Sequence, residues 1–139
     1  MKVPIIDASF ALKWFFPEEN SEIARSFLSE KNHFVVPDLF WIETSNIISK
    51  KVRKRELSIN EAERIIQILE SMNFVTVAFD KIKEEAFFIS TRFSITLYDA
   101  CYLAVAVNYE GNLFTADVRM SNGIKKTAYK EFVTSINEL

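Results

Sequence analysis

Val3-Pro4-Ile5-Ile6-Asp7-Ala8-Ser9 is an apolar run that stops on a carboxylate, and the figure returns at Leu113-Phe114-Thr115-Ala116-Asp117. Short apolar runs rich in Val, Ile and Phe, bounded by helix-start signals, read as strands buried on both faces. Pro4 is tolerable near a strand start or at a sheet edge, where its missing N–H breaks no ladder. Ser9 is placed to cap a helix through Leu12 and Trp14 to Phe16, which Pro17 stops.

Outward from these two stretches the pattern alternates. Asn20 or Ser21 opens a second helix with Ile23, Ala24, Phe27 and Leu28 at one-face spacing, and Phe34-Val35-Val36 is a second strand. Asp38 caps a long helix from Leu39 to about Arg55. Ser58 and Glu61 form a capping box for the next helix, whose Ile65, Ile66, Ile68 and Leu69 make an apolar face. Phe74-Val75-Thr76-Val77 is a third strand, and Asp80 starts a helix with Ala86, Phe87 and Ile89 inward. Thr96 opens a helix to Tyr109, ended by Gly111 as the left-handed terminating residue. After Asp117 come a short helix and a last strand around Phe132-Val133-Thr134. Strands alternating with helices predict an α/β fold with a mostly parallel sheet covered on both faces.

The totals agree with one domain over residues 1–139. That length is ordinary for a single domain, and 49% hydrophobic with 14% aromatic residues fills one core. Two glycines and three prolines leave little material for linkers. A single cysteine, Cys101, excludes an internal disulfide and a cysteine-based zinc cage. The first residues lack a signal-peptide pattern, and Leu97 to Val107 falls short of the ~20 residues that span a bilayer. The expectation is a cytoplasmic protein with no membrane segment.

Most of the 19 acidic residues lie in polar surroundings, such as Glu18-Glu19-Asn20. Asp7, Glu43, Asp99 and Asp117 do not: each follows or sits within an apolar run. A carboxylate taken out of water is costly unless it is paired, protonated or on a metal. Asp7 and Asp117 fall at the carboxyl ends of predicted parallel strands, where open α/β sheets place their ligand crevices. Glu43 and Asp99 fall in the first turns of two helices, and Glu43 shares a helix face with Asn46. Each acid has another reading: Asp7 as a cap, Asp99 as a residue favoured at a helix start, Asp117 as a turn residue. Glu43 has the weakest alternative, and four coincidences on one sheet edge are harder to accept than one site. Oxygen-only ligands select Mg²⁺ or Mn²⁺ over zinc, and such ions can clamp a phosphodiester and activate water. The net charge of −2 looks adverse to nucleic acid, but removing four site carboxylates (−2 + 4) leaves +2 for the rest.

At Ile6-Asp7-Ala8-Ser9, Glu43-Thr44-Ser45-Asn46, Tyr98-Asp99-Ala100-Cys101-Tyr102-Leu103-Ala104 and Thr115-Ala116-Asp117-Val118-Arg119, the chain resembles the PIN-domain nucleases, specifically the VapC-type toxins. The likeness spans essentially the whole chain in order and spacing; Met120-Ser121-Asn122-Gly123 fits the pattern only loosely. The resemblance implies a three-layer α/β/α sandwich, a homodimer, and a Mg²⁺- or Mn²⁺-dependent endoribonuclease neutralised by a cognate antitoxin. It implies that Asp7, Glu43, Asp99 and Asp117 are the catalytic and metal-binding quartet, supported by Asn46, Thr115 and, less closely, Ser9. Lys13 and Arg119 are the candidate RNA contacts.

Other features carry less. Lys50, Lys51, Arg53, Lys54 and Arg55 suit a helix C-terminus, and their number leaves an RNA or antitoxin contact open. His33, the one histidine, sits in a polar loop, which excludes a two-histidine ribonuclease mechanism. Cys101 reads as a core residue. Of Phe10, Trp14, Phe15 and Phe16, some are core and part is available for a dimer or antitoxin surface. A phosphate-receiving signalling domain would need paired acids after the first strand, where Asp7 stands alone. A housekeeping RNA-processing nuclease and a catalytically idle PIN-like interaction module are the remaining alternatives.

Overall fold

The structure is a computed structural model that describes residues 2–29 and 33–139. Five strands, β1 (Pro4–Ile6), β2 (Val35–Pro37), β3 (Val75–Val77), β4 (Asn112–Thr115) and β5 (Val133–Ser135), form one sheet in the order β3-β2-β1-β4-β5. All four pairings are parallel. Seven α-helices are found among the described residues: α1 (Ala8–Leu12), α2 (Ser21–Ser26), α3 (Leu39–Arg53), α4 (Ile59–Ser71), α5 (Phe79–Phe93), α6 (Leu97–Asn108) and α7 (Val118–Lys125). Neighbouring residues on a strand point to opposite faces, and Ile5 and Ile6 are both fully buried, so the sheet is covered on both sides. This is the expected three-layer α/β/α sandwich. Helix α6, apolar nearly all round, packs against β1, β2 and β4, with α5 against it.

The strand order places the site. From central β1 the chain builds outward through β2 and β3, then returns to the other side of β1 for β4 and β5. The reversal makes the carboxyl ends of β1 and β4 a topological switch point, where α/β sheets open a crevice. Register pairs Ile6 with Phe114, so Asp7 and Thr115 leave the sheet side by side.

Several local expectations are corrected. Asp7, not Ser9, caps α1, accepting from the Phe10 amide at 2.9 Å, and α1 stops at Leu12. Phe10 and Trp14 are buried, Phe15 and Phe16 pack against the core, and Trp14 Nε1 donates to the Ala24 carbonyl at 2.8 Å. Two of the four are therefore core, and Phe15 and Phe16 stay partly exposed beside it. Asp38 does not cap α3 with its side chain; it accepts from the Phe79 amide at the start of α5. Phe87 points outward, 64% exposed, and Ile82, Ala86 and Ile89 carry the inner face of α5. Ile68 and Leu28 also lie outward.

The end of α6 differs in mechanism. The amides of Glu110 and Gly111 donate to the carbonyls of Val107 and Ala106, a Schellman closure in which Glu110 takes the left-handed conformation (φ 51°). Gly111 is needed for space instead: a β-carbon there would lie 2.5 Å from the Val3 carbonyl oxygen and closer still to Ile5 Cδ1. The Ser58–Glu61 capping box and the Thr96 cap form as read. Cys101 is buried and free, and burial, aided by Asp38 and Glu43, pushes its thiol up to about 11. His33 is exposed. No helix among the described residues is long and apolar enough to cross a membrane.

Candidate functional site

Asp7, Glu43, Asp99 and Asp117 line one pocket of about 290 Å³, together with Ser9, Ile47, Thr96, Tyr98 and Arg119. Four separate elements deliver the carboxylates: the β1–α1 corner, the second turn of α3, the first turn of α6, and the β4–α7 corner.

Asp7 is the most enclosed, 3% exposed. Its Oδ1 accepts from Ser9 Oγ at 2.7 Å and from the Phe10 amide, while Oδ2 accepts from Thr115 Oγ1. Thr115 Oγ1 in turn accepts from the Asp117 amide at 2.9 Å, and Ser9 Oγ accepts from the Ala116 amide at 3.2 Å. A continuous hydrogen-bond chain thus ties the first acid to the last across two adjacent strands. Burial nevertheless dominates and pushes the Asp7 carboxyl up to about 6; the Thr115, Phe10 and Ser9 donors pull down, and the Glu43 charge pushes up.

Glu43 and Asp99 are also raised. For Glu43 burial leads, opposed by a 2.6 Å hydrogen bond from Tyr102 and reinforced by the charges of Asp99 and Asp117. For Asp99 burial leads, opposed by Arg119 and reinforced by Asp117. Three neighbouring carboxyls raised together, chiefly by burial and to a lesser degree by one another's charge, mark a place where a cation is favoured. Asp117 caps α7 through the Met120 amide at 3.2 Å, so both corner acids are caps as well as pocket residues.

Arg119 supplies a cation of its own. Its Nη2 stands 3.3 Å from Asp99 Oδ2 and 3.4 Å from Asp117 Oδ2, on a side chain 67% exposed. As the acids stand around the pocket, no three His, Cys, Asp or Glu residues among the described residues are grouped to hold a metal ion. The donor chemistry fits Mg²⁺ or Mn²⁺, being carboxylate oxygen throughout.

The remaining expected residues divide. Ser9 and Thr115 hold Asp7 directly. Asn46 is exposed and lies outside the pocket, where its neighbour Ile47 takes the wall position. Lys13 is turned away, bonding the Glu19 carbonyl at 2.8 Å and pairing with Glu18 at 3.5 Å. Of the basic run, Lys51 lies over the Phe16 ring and pairs with Glu56, and Arg53 donates to Ser49. Tyr102 was not read as functional. Its signal was nevertheless present: three residues beyond Asp99, it shares a helix face with that acid, and a buried phenol requires a partner.

These features define a class: a parallel α/β protein with a carboxylate-lined crevice at its topological switch point. The PIN-domain family profile matches residues 5–125, and the chain belongs to that family. It is 29% identical over 119 residues to ribonuclease VapC3 of Pyrobaculum aerophilum, covering 84% of this chain and 91% of that protein. The fold is similar to a toxin–antitoxin complex chain from Klebsiella pneumoniae (TM-score 0.69, 13% identity, 96% of this chain and 97% of the other). It is also similar to VapC20 of Mycobacterium tuberculosis, a sarcin–ricin loop cleaving toxin (TM-score 0.66, 16% identity, 86% and 93%).

Proposed function

We propose that residues 1–139 form one PIN-like domain acting in the cytoplasm as a Mg²⁺- or Mn²⁺-dependent endoribonuclease, the toxin of a toxin–antitoxin pair. The observation that carries this reading is the convergence of Asp7, Glu43, Asp99 and Asp117 on one pocket of a PIN fold. The likeness to a VapC ribonuclease supports RNA as substrate, and the toxin–antitoxin relatives support a cognate antitoxin as partner.

Asp7 and Asp99 would hold the principal cation, with Glu43 and Asp117 completing its surroundings. When bound, the ion supplies Lewis-acid polarisation of the scissile phosphate and acidifies an attacking water. The chain's own groups do the rest. Ser9 and Thr115 fix the Asp7 carboxylate, and Asp117 or Asp99 accepts the proton from the attacking water. Arg119, exposed at the pocket mouth, is the candidate phosphate contact once freed from the acids. Lys13, outside the pocket lining and engaged by Glu18 and Glu19, is the weaker candidate. A homodimer is supported by the exposed apolar residues Ile42, Phe79, Phe87, Leu97 and Tyr98 on α3, α5 and α6, a patch that adjoins the pocket at Tyr98.

The test is incubation with total RNA and Mg²⁺, with and without chelator, beside Asp7→Asn and Asp99→Asn. Cleavage that needs the ion and disappears in both variants is expected. Equal cleavage by parent and variants refutes the reading.

A further inference from the structure

Tyr102 lies in the middle of α6, 1% exposed, among residues that are otherwise apolar. Its hydroxyl donates to Glu43 Oε1 at 2.6 Å. Glu43 is on α3, and Tyr102 sits one helical turn beyond Asp99 on α6. One oxygen therefore joins two of the four elements that bring acids to the pocket, carried by α6 and touching the acid of α3.

We propose that Tyr102 is a positioning residue that sets the spacing of Glu43 from Asp99, orienting Glu43 with one carboxylate oxygen tied and the other left for a divalent cation. The inference rests on the pocket being a cation site. The physical case is directional. A carboxylate held by one charge-assisted hydrogen bond keeps a defined rotamer and presents its second oxygen at a fixed place. The ring, wedged in the core, cannot swing away without opening a cavity beside α6. Thr115, on β4, does the corresponding work for Asp7, so two of the acids are each tied by a buried hydroxyl from a neighbouring element.

Tyr102→Phe removes the hydroxyl and keeps the ring, and the readout is Mn²⁺ affinity by calorimetry on the full chain. Loss of an orienting partner of a ligand costs about 10- to 100-fold in metal affinity, and that weakening is expected. Because Tyr102 acts through Glu43, Tyr102→Phe should cause little further loss in a Glu43→Gln background. Unchanged affinity in Tyr102→Phe, or an equal loss in both backgrounds, overturns the proposal while leaving the cation site intact. Absence of Mn²⁺ binding by the parent chain overturns the cation-site reading and this inference with it. A second measurement does not depend on Tyr102→Phe folding: the Tyr102 hydroxyl proton should be observable by NMR in the parent and lost in Glu43→Ala. Its persistence in Glu43→Ala would equally sink the assignment.

Discussion

Asp7→Asn should stabilise the protein at alkaline pH while abolishing its proposed chemistry. The Asp7 carboxyl is moved from its ordinary value of 3.8 to about 6 by burial. At 1.36 kcal/mol per pKa unit, ionising it inside the fold costs about 3 kcal/mol. The sign follows from proton counting. Between those two values the folded state binds more protons than the unfolded chain, so stability is lost as pH rises through about 6 and retained below about 4. Asparagine removes the charge and still caps α1 through the Phe10 amide, since Asn and Asp are comparable caps. Its amide nitrogen cannot accept from Thr115, which loses about 1 kcal/mol. The net expectation in chelator is a gain of about 2 kcal/mol at pH 8 and a loss of about 1 kcal/mol at pH 4. For a chain of this length the gain corresponds to a rise of roughly 6 °C in Tm. Urea unfolding at the two pH values, followed by circular dichroism, measures both signs. Adding Mn²⁺ at 100 times its Kd should stabilise the parent by about 2.7 kcal/mol and the variant hardly at all. An identical stability change at pH 4 and pH 8 would refute the argument that Asp7 is a charge held against its burial.

Arg119→Gln should tighten Mn²⁺ binding, because the guanidinium and the ion compete for Asp99 and Asp117. The Arg119 end of both pairs is exposed, so at up to about 0.5 kcal/mol each the gain is at most roughly fivefold, and calorimetry would show it together with weaker RNA binding; an unchanged Kd removes the competition. Gly111→Ala should destabilise by about 1–3 kcal/mol through overpacking against Val3 and Ile5. Gly123→Ala, in α7 with nothing within 4 Å of the new methyl, should stabilise by about 0.5–1 kcal/mol. Thermal melts of the pair decide it, and equal melting temperatures contradict the packing account.

Which parts of this protein could be read from its residues follows from how local each cause is. Strands β1 to β4 and the Ser58–Glu61 box are written in short windows, and all formed where expected. Capping was misread where a polar residue could serve two structures. Ser9 looks like a cap by type, but the chain turns one pair of residues earlier and Asp7 accepts the Phe10 amide instead. Gly111 was taken for its backbone freedom, whereas Glu110 bears the left-handed turn and Gly111 answers a contact with Val3, over a hundred positions away. Phe87 satisfies the helical period of α5 about as well as its neighbours; only the way α5 meets α6 decides which residues turn inward. The four pocket acids were legible because each violates its surroundings. Their supporting hydroxyls were legible only in part: Thr115 lies beside Asp117, while Tyr102 meets Glu43 across 59 positions of chain. Arg119 was visible as a cation near Asp117, but its bridge to Asp99 depends on α6 and α7 meeting.

The distance along the chain between Asp7 and its buried donor Thr115, 108 positions, bears on biosynthesis. A ribosome makes Asp7, Glu43 and Asp99 well before Asp117, and until β4 emerges the central strand has no neighbour on that side. The acids of a nascent chain therefore remain scattered, with nothing to align them. Cutting activity would therefore wait until β4 and Asp117 have been made and folded against β1, and a nascent chain that stops short of them holds no assembled quartet.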